Sequence, residues 1–449
     1  MIIVPTSKRP TPRPPHDDSL FGDAQEISAG IGAGRLSAEK VLRASFLRIE
    51  GTERQLKAWE YVDFSGALGA ARQIDSERKA GHRLGPLAGV PVAVKDVIDV
   101  AGMPTGAGFA PFRDRMASAD SEIIRKLRKA GAVVVGKVAT AQFAAFDPPG
   151  TVNPWDASRT PGGSSTGSGV AVAAGHVPLA LATQTGGSTL RPAAYNGVVG
   201  FKPSFGRIST RGVFPVAPSL DHVGVIARSV ADCEVFAEVA MPGFKKACSF
   251  GPPRIGIVSG SALSVRDDVF AATNAAIAEL QKAGAEIVPA RLPFSLDELA
   301  ERHGIIMAGE LWAAHRERFA KSSEFYGPQL TERLRQAQNI SKEALKIAQR
   351  KRQAAIGLFD QLWEDIDILL LPAVPEAAPP RRTTGSSRLL APFSLIGAPS
   401  VAIPAGWLGE MPHSVQLVGA RNHDAALLSH ARWCAGVLGT PFSRPSASS

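Results

Sequence analysis

A chain of 449 residues with 45% hydrophobic and 20% charged side chains can bury a large core, which excludes an intrinsically disordered polypeptide. Its net charge of +9 is spread thinly, and aromatic residues make up only 6%, so the composition argues for a basic solvated surface suited to anionic small substrates rather than a nucleic-acid platform. No apolar run reaches the roughly 18 residues of a membrane span, no secretory leader opens the chain, and the three scattered cysteines fit neither a zinc site nor a disulfide framework, which together predict a cytoplasmic protein without a metal.

Residues 1–20 are rich in proline and basic side chains and read as an irregular arm ahead of one large domain over 21–449. Apolar residues at Ile27, Ile31, Leu36, Val41, Leu42, Phe46 and Ile49 recur at helical spacing across 24–50, with Ser37 as an internal N-cap. A second helix is predicted over 66–78. Residues 87–100 (LAGVPVAVKDVIDV) form a β-rich run with a lysine inside it. A helix capped by Asp120 runs to Gly131 and leads into a short strand at 132–135. After a loop over 146–161 comes the stretch 161–203. Beyond it the pattern predicts a helix at 229–240, a strand at 254–258, a helix at 267–283 and a strand at 285–288. Long charged helices follow at 296–320 and 341–365. Short strands at 369–372, 400–403 and 414–418 and a helix at 425–438 complete the chain. This alternation predicts an α/β/α fold with a mixed central sheet covered by helices, its core motifs in 87–226 and further strands and helices in 254–440.

Residues 161–203 carry two glycine-serine knots, PGGSSTGSG at 161–169 and TGGS at 185–188, separated by a small-residue apolar segment that suits a buried helix. Glycine at this density inside core-like sequence brings backbone N–H groups close to something. The first knot lacks the Gly-Lys-Ser/Thr ending of a phosphate-binding loop, and Val172 stands where a dinucleotide fingerprint needs its third glycine. Gly163–Gly167 satisfies the G-x-S-x-G pattern of a hydrolase nucleophile elbow, but a loop, not a strand, precedes it, and none of the nine histidines sits in a telling context. A triad without histidine is the alternative. Deprotonating a lysine of ordinary pKa at pH 7 costs roughly 4.6 kcal/mol, so Lys95 inside its apolar run needs burial and hydroxyl partners to serve as a base.

Lys95-Asp96, PGGSSTGSG and TGGSTLRPA together resemble the amidase signature family, and APFSLIGAPSVAIPAG and HSVQLVG over 391–419 are similar to its C-terminal strands. The wording QTGGSTLRPAAY is most similar to malonamidase-like members. The resemblance implies the amidase signature fold and a cofactor-free amidase acting on linear amide C–N bonds. Ser188 would be the nucleophile, Ser164 a proton-relaying serine after a cis peptide at Gly163, and Lys95 the terminal base. The N–H groups of Thr185, Gly186, Gly187 and Ser188 would form the oxyanion hole, with Ser165 and Thr183 as supporting hydroxyls. Gly163 and Arg191 would bind substrate, Arg191 holding a substrate carboxylate or bracing the loop.

Two departures stand out. Most members carry Asp and Arg where this chain has Gln184 and Leu190, and the usual Glu-Phe reads Gln142-Phe143. The expectation is hydrolysis of a small-molecule amide, without nucleic acid or membrane as partner and with a homodimer left open. The alternatives are a carbamate or urea hydrolase of the same family, and a glutamine-hydrolysing subunit of an amidotransferase. The intact Lys95, Ser164 and Ser188 disfavour a silent scaffold.

Overall fold

The computed structural model describes residues 22–248 and 251–439, so the expected arm at 1–20 lies outside the described residues. Among these, eleven strands build one sheet: β1 (Trp59–Val62), β2 (Pro91–Lys95), β3 (Val133–Val138), β4 (Leu179–Gln184), β5 (Val199–Lys202), β6 (His222–Ala227), β7 (Arg254–Ile257), β8 (Glu286–Pro289), β9 (Ile368–Pro372), β10 (Ser400–Leu408) and β11 (Met411–Val418). Their spatial order is β1-β3-β2-β4-β6-β5-β10-β11-β9-β7-β8. β3, β2 and β4 run parallel, as do β8, β7 and β9, and antiparallel pairs join these blocks. The result is the large mixed α/β sheet expected from the alternating pattern.

The parallel strands β2, β3 and β4 are buried along their whole length, because helices cover both faces of such a sheet. This explains their near-continuous Val, Ala and Leu content. The helix Thr166–Ala173 packs on β2, β3, β4 and β6, and the helix Leu190–Asn196 on β5, β10 and β11. The long helix Leu296–Ser322 lies against Lys342–Asp360 and Ala391–Leu395. Among the described residues no helix is long and apolar enough to cross a membrane.

Several boundaries differ from the sequence pattern for local reasons. The helical spacing over 24–50 belongs to two helices, Ala24–Gly32 and Ala38–Leu56, because Gly34 turns the chain at φ +73° and Ser37 caps the second through Lys40 N–H. Asp120 is not the cap of the helix Glu122–Lys129. Its carboxylate accepts the Ala101 N–H at 2.8 Å, and Ser121 takes the cap position. The segment between the two knots is only half helical: it turns at Gly175 (φ +74°), passes Pro178 and enters β4. The strand β1 and the helix Pro328–Ala337 lie outside the predicted elements, although Leu330, Leu334 and Ala337 recur at helical spacing behind a proline at the helix start.

Candidate active site

Ligand sites in α/β sheets lie outside the carboxyl ends of the parallel strands. Here β2 ends on Lys95, and β4 ends on Gln184 and runs straight into the second knot. The first knot crosses the same edge: the Ser164 carbonyl accepts the Ala141 N–H at 3.1 Å, and the Ser188 carbonyl accepts the Ser165 N–H at 3.2 Å. The sheet therefore brings Lys95, Ser164 and the Ser188 loop together from distant parts of the chain.

Lys95 is fully buried. Its Nζ lies 2.8 Å from Ser164 Oγ and 2.7 Å from Thr183 Oγ1. Burial drives the amine well below the ordinary lysine range; the charge of Arg191 acts in the same direction and that of Asp221 opposes it. The amine therefore lies within hydrogen-bonding reach of a serine hydroxyl, as a base requires. Beside it, Lys137 and Asp96 form a buried ion pair at 2.9 Å. Lys137 also donates to Pro104 O and Thr105 Oγ1, and Asp96 accepts the N–H groups of Gly106 and Ala107, so the chain leaving Lys95 is tied down.

The peptide between Gly163 and Ser164 is cis. Arg191 grips the Gly163 carbonyl with Nε at 3.0 Å and Nη2 at 2.6 Å, and donates further to Gly385 O and Thr384 Oγ1. Added methyl groups show how tightly the knot is packed: a Cβ on Gly163 would stand 2.6 Å from Thr384 Cγ2, and one on Gly167 2.3 Å from Ala58 O. Ser165 exchanges hydrogen bonds with the Thr183 backbone, pinning the knot to β4.

The second knot presents its two backbone edges differently. All four carbonyls are engaged: Thr185 O by His303 Nε2 at 2.8 Å, Gly186 O by Ser394 Oγ at 2.9 Å, Gly187 O by Arg191 N at 2.9 Å, and Ser188 O by Ser165 N. The N–H groups of Thr185, Gly186, Gly187 and Ser188 donate to no protein acceptor among the described residues. In each peptide the carbonyl of one residue opposes the N–H of the next, so the engaged carbonyls of Thr185, Gly186 and Gly187 turn the N–H groups of Gly186, Gly187 and Ser188 away from those partners, where they can serve an anion. Because a carbonyl only accepts, His303 carries its proton on Nε2, and burial, pushing its pKa down to about 4, keeps the ring neutral. Gln184 holds the loop from behind. Its Oε1 accepts the N–H groups of Thr189 and Leu190, and its Nε2 donates to Ser394 Oγ, each at 3.0 Å. Thr185 Oγ1 donates to Asp221 at 2.6 Å. Burial pushes that carboxyl up to about 6 against the Thr185 hydroxyl and the Val216 and Ala217 N–H groups.

Sequence reasoning does not single out His303, Ser394, Asp221 or Thr384. They come from remote segments and carry no local motif. Among the described residues no histidine hydrogen-bonds to Ser164 or Ser188, which leaves the G-x-S-x-G match without its base. Two cavities of about 450 and 610 Å³ open elsewhere, one around Arg115, Arg125 and Arg211 and one around Arg78, His82 and Lys246, and neither is lined by Lys95, Ser164 or Ser188.

The amidase family model matches residues 40–428. The chain is 32% identical to the A subunit of glutamyl-tRNA(Gln) amidotransferase from Salinispora tropica, covering 94% of this chain and 98% of that protein. It is 31% identical to the protein of the same name from Chloroflexus aggregans over 89% and 92% of the two chains. Among solved structures, a component of a vestigial complex linked to the origins of an s-triazine catabolic enzyme superposes with a TM-score of 0.86 at 31% identity, covering 95% of this chain and all of that one. The native peptide amidase of Stenotrophomonas maltophilia superposes at 0.83 with 27% identity, covering 95% and 99%. Both sequence relatives are amidotransferase A subunits, so they support the family and not the malonamidase-like members in particular.

Proposed function

The chain belongs to the amidase family, and from that premise we propose that it cleaves the C–N bond of a small amide through an acyl-enzyme on Ser188. One observation carries this reading: Lys95 Nζ sits between Ser164 Oγ and Thr183 Oγ1, next to a loop whose four N–H groups have no protein acceptor among the described residues. In the forward step Ser188 Oγ attacks the amide carbonyl. Its proton passes to Ser164, whose own proton moves to neutral Lys95. The N–H groups of residues 185–188 hold the oxyanion, a contribution worth about 10²–10³-fold per donor in comparable sites. Collapse breaks the C–N bond, and the amine leaves with the proton returned from Lys95 through Ser164. Water then attacks the acyl carbon along the same proton path, and carboxylate is released.

Arg191 acts here as the brace of the Gly163 carbonyl, because Nε, Nη1 and Nη2 are all committed to protein oxygens. That supports a structural role over a substrate-binding one. For the amide itself, the amidotransferase relatives favour glutamine, with ammonia passed on inside an assembly of protein subunits. Gln142, Gln184 and Leu190 are the residues that favour a stand-alone hydrolase of another small amide. Glutamine, malonamate and succinamate are all primary amides that carry a carboxylate. Assaying the isolated chain on glutamine, malonamate, succinamate and a ureido acid separates the two readings. Ammonia release from glutamine that rises on adding the other components of an amidotransferase supports the first. Full activity of the lone chain on another amide, with glutamine inert, supports the second. No turnover of any amide or carbamate overturns the acyl-enzyme reading.

A further inference from the structure

The last turns of the helix Leu296–Ser322 carry a cation, Arg318, with no carboxylate within ion-pairing distance among the described residues. Its guanidinium lies 5.2 Å from the Phe112 ring, 5.4 Å from Phe143 and 5.1 Å from Phe214. Its Nη1 is buried without a hydrogen-bond partner. One turn earlier, fully buried His315 places Nδ1 3.0 Å from the Tyr326 hydroxyl, and its Nε2 is also buried without a partner. A guanidinium nitrogen and an imidazole nitrogen are thus both buried without a partner beside an aromatic cluster. Buried polar atoms of this kind call for a partner.

This cluster is fastened to the catalytic edge. The Phe143 N–H donates to Ala107 O at 2.7 Å, two residues from Ala141, which holds the Ser164 carbonyl. The Phe214 N–H donates to Val97 O at 2.8 Å, two residues beyond Lys95. Arg191 gives four of its five N–H groups to Gly163 O, Gly385 O and Thr384 Oγ1, whereas Arg318 Nη1 has no partner.

We propose that Arg318 and His315 form a subsite for the carboxylate of the substrate, with the substrate's hydrocarbon lying along the partly exposed rings of Phe112 and Phe214. This rests on the amide-cleaving reading for its meaning but not for its test. Binding is measured by calorimetry on the Ser188→Ala protein, with and without Arg318→Met, using malonamate and succinamate against their neutral counterparts propionamide and butyramide. The expected result is binding of at least one carboxylate probe that weakens about 30-fold with Arg318→Met, a loss typical of a charged hydrogen bond, while the neutral amides change less than about threefold. Equal loss for charged and neutral probes, or no carboxylate binding to the Arg318 protein, overturns the proposal. If Arg318→Met does not fold, Arg318→Lys asks the same question: a loss of about tenfold confined to the carboxylate probes supports the subsite, and no selective loss overturns it. Turnover on the same amides is read separately, so a protein that binds carboxylates but cleaves nothing contradicts the enzymatic reading alone.

Discussion

Gln184→Leu tests the scaffold behind the proposed oxyanion loop at 185–188. The native amide makes three buried hydrogen bonds: it accepts from Thr189 and Leu190 N–H and donates to Ser394 Oγ. Leucine fills a similar volume but leaves two buried N–H groups without an acceptor. Each orphaned donor costs about 1–3 kcal/mol, so the stability loss should be about 2–6 kcal/mol, a large part of the roughly 5–15 kcal/mol typical of a folded domain. Ser394 is then free to rotate away from Gly186 O, which it holds at 2.9 Å. Losing the aim of one oxyanion donor costs about 10²–10³ in kcat, with KM changed much less because the ground-state carbonyl uses that donor weakly. Thermal unfolding and steady-state kinetics on the best amide give the two readings. Gln184→Glu is the companion variant: it keeps an acceptor for the two N–H groups but buries a carboxylate facing Leu190, where the family at large carries arginine. It should restore part of the kcat loss and little of the stability. A Gln184→Leu protein with wild-type melting temperature and kcat would refute the claim that this side chain sets the loop.

The other predictions concern charges. Arg191→Leu should lower stability and kcat together, since it releases the Gly163, Thr384 and Gly385 contacts, yet leave the ratio of KM values for carboxylate and neutral amides unchanged; a selective loss on carboxylates would return the substrate-binding role to Arg191. The pH profile follows from Lys95. Its folded pKa lies well below 10.5 because of burial, so the neutral base is present above that depressed value and is lost as pH falls through it, giving kcat/KM an acid limb. Asp221→Asn removes the anion that opposes this depression, so the limb should move to lower pH, and a shift to higher pH would contradict the electrostatic assignment. Lys202, pushed down to about 7 by burial, binds a proton more readily when unfolded; stability should therefore rise with pH between about 7 and 10.5, and Lys202→Met should flatten that rise in denaturant titrations.

The candidate site is legible because Lys95, Ser164 and Ser188, which the fold brings to one edge, carry unusual sequence contexts. A lysine inside PVAVKDVID and glycine-serine knots beside apolar small residues both break the binary pattern of a core, and such breaks mark function. The long helices and buried parallel strands announce themselves through their periods. The supporting shell is not legible. His303 sits on a charged helix, Ser394 on a five-residue helix, and Asp221 in a loop; each matters only because the sheet order brings remote segments to one edge. Arg318 is silent for the same reason, since Phe112, Phe143 and Phe214 meet it from three separate stretches. Arg191 shows the limit of motif reasoning: its position suggests a substrate fork, while its donors point at backbone carbonyls and a threonine hydroxyl.

Labelling with a fluorophosphonate probe, followed by peptide mass spectrometry, measures the central chemistry most directly. The account predicts one adduct, on Ser188, formed at a rate that falls by at least about 10²-fold in Lys95→Met and Ser164→Ala, since removing the base or its relay removes general-base assistance. An adduct on another residue, or Ser188 labelling that is indifferent to Lys95, would contradict it.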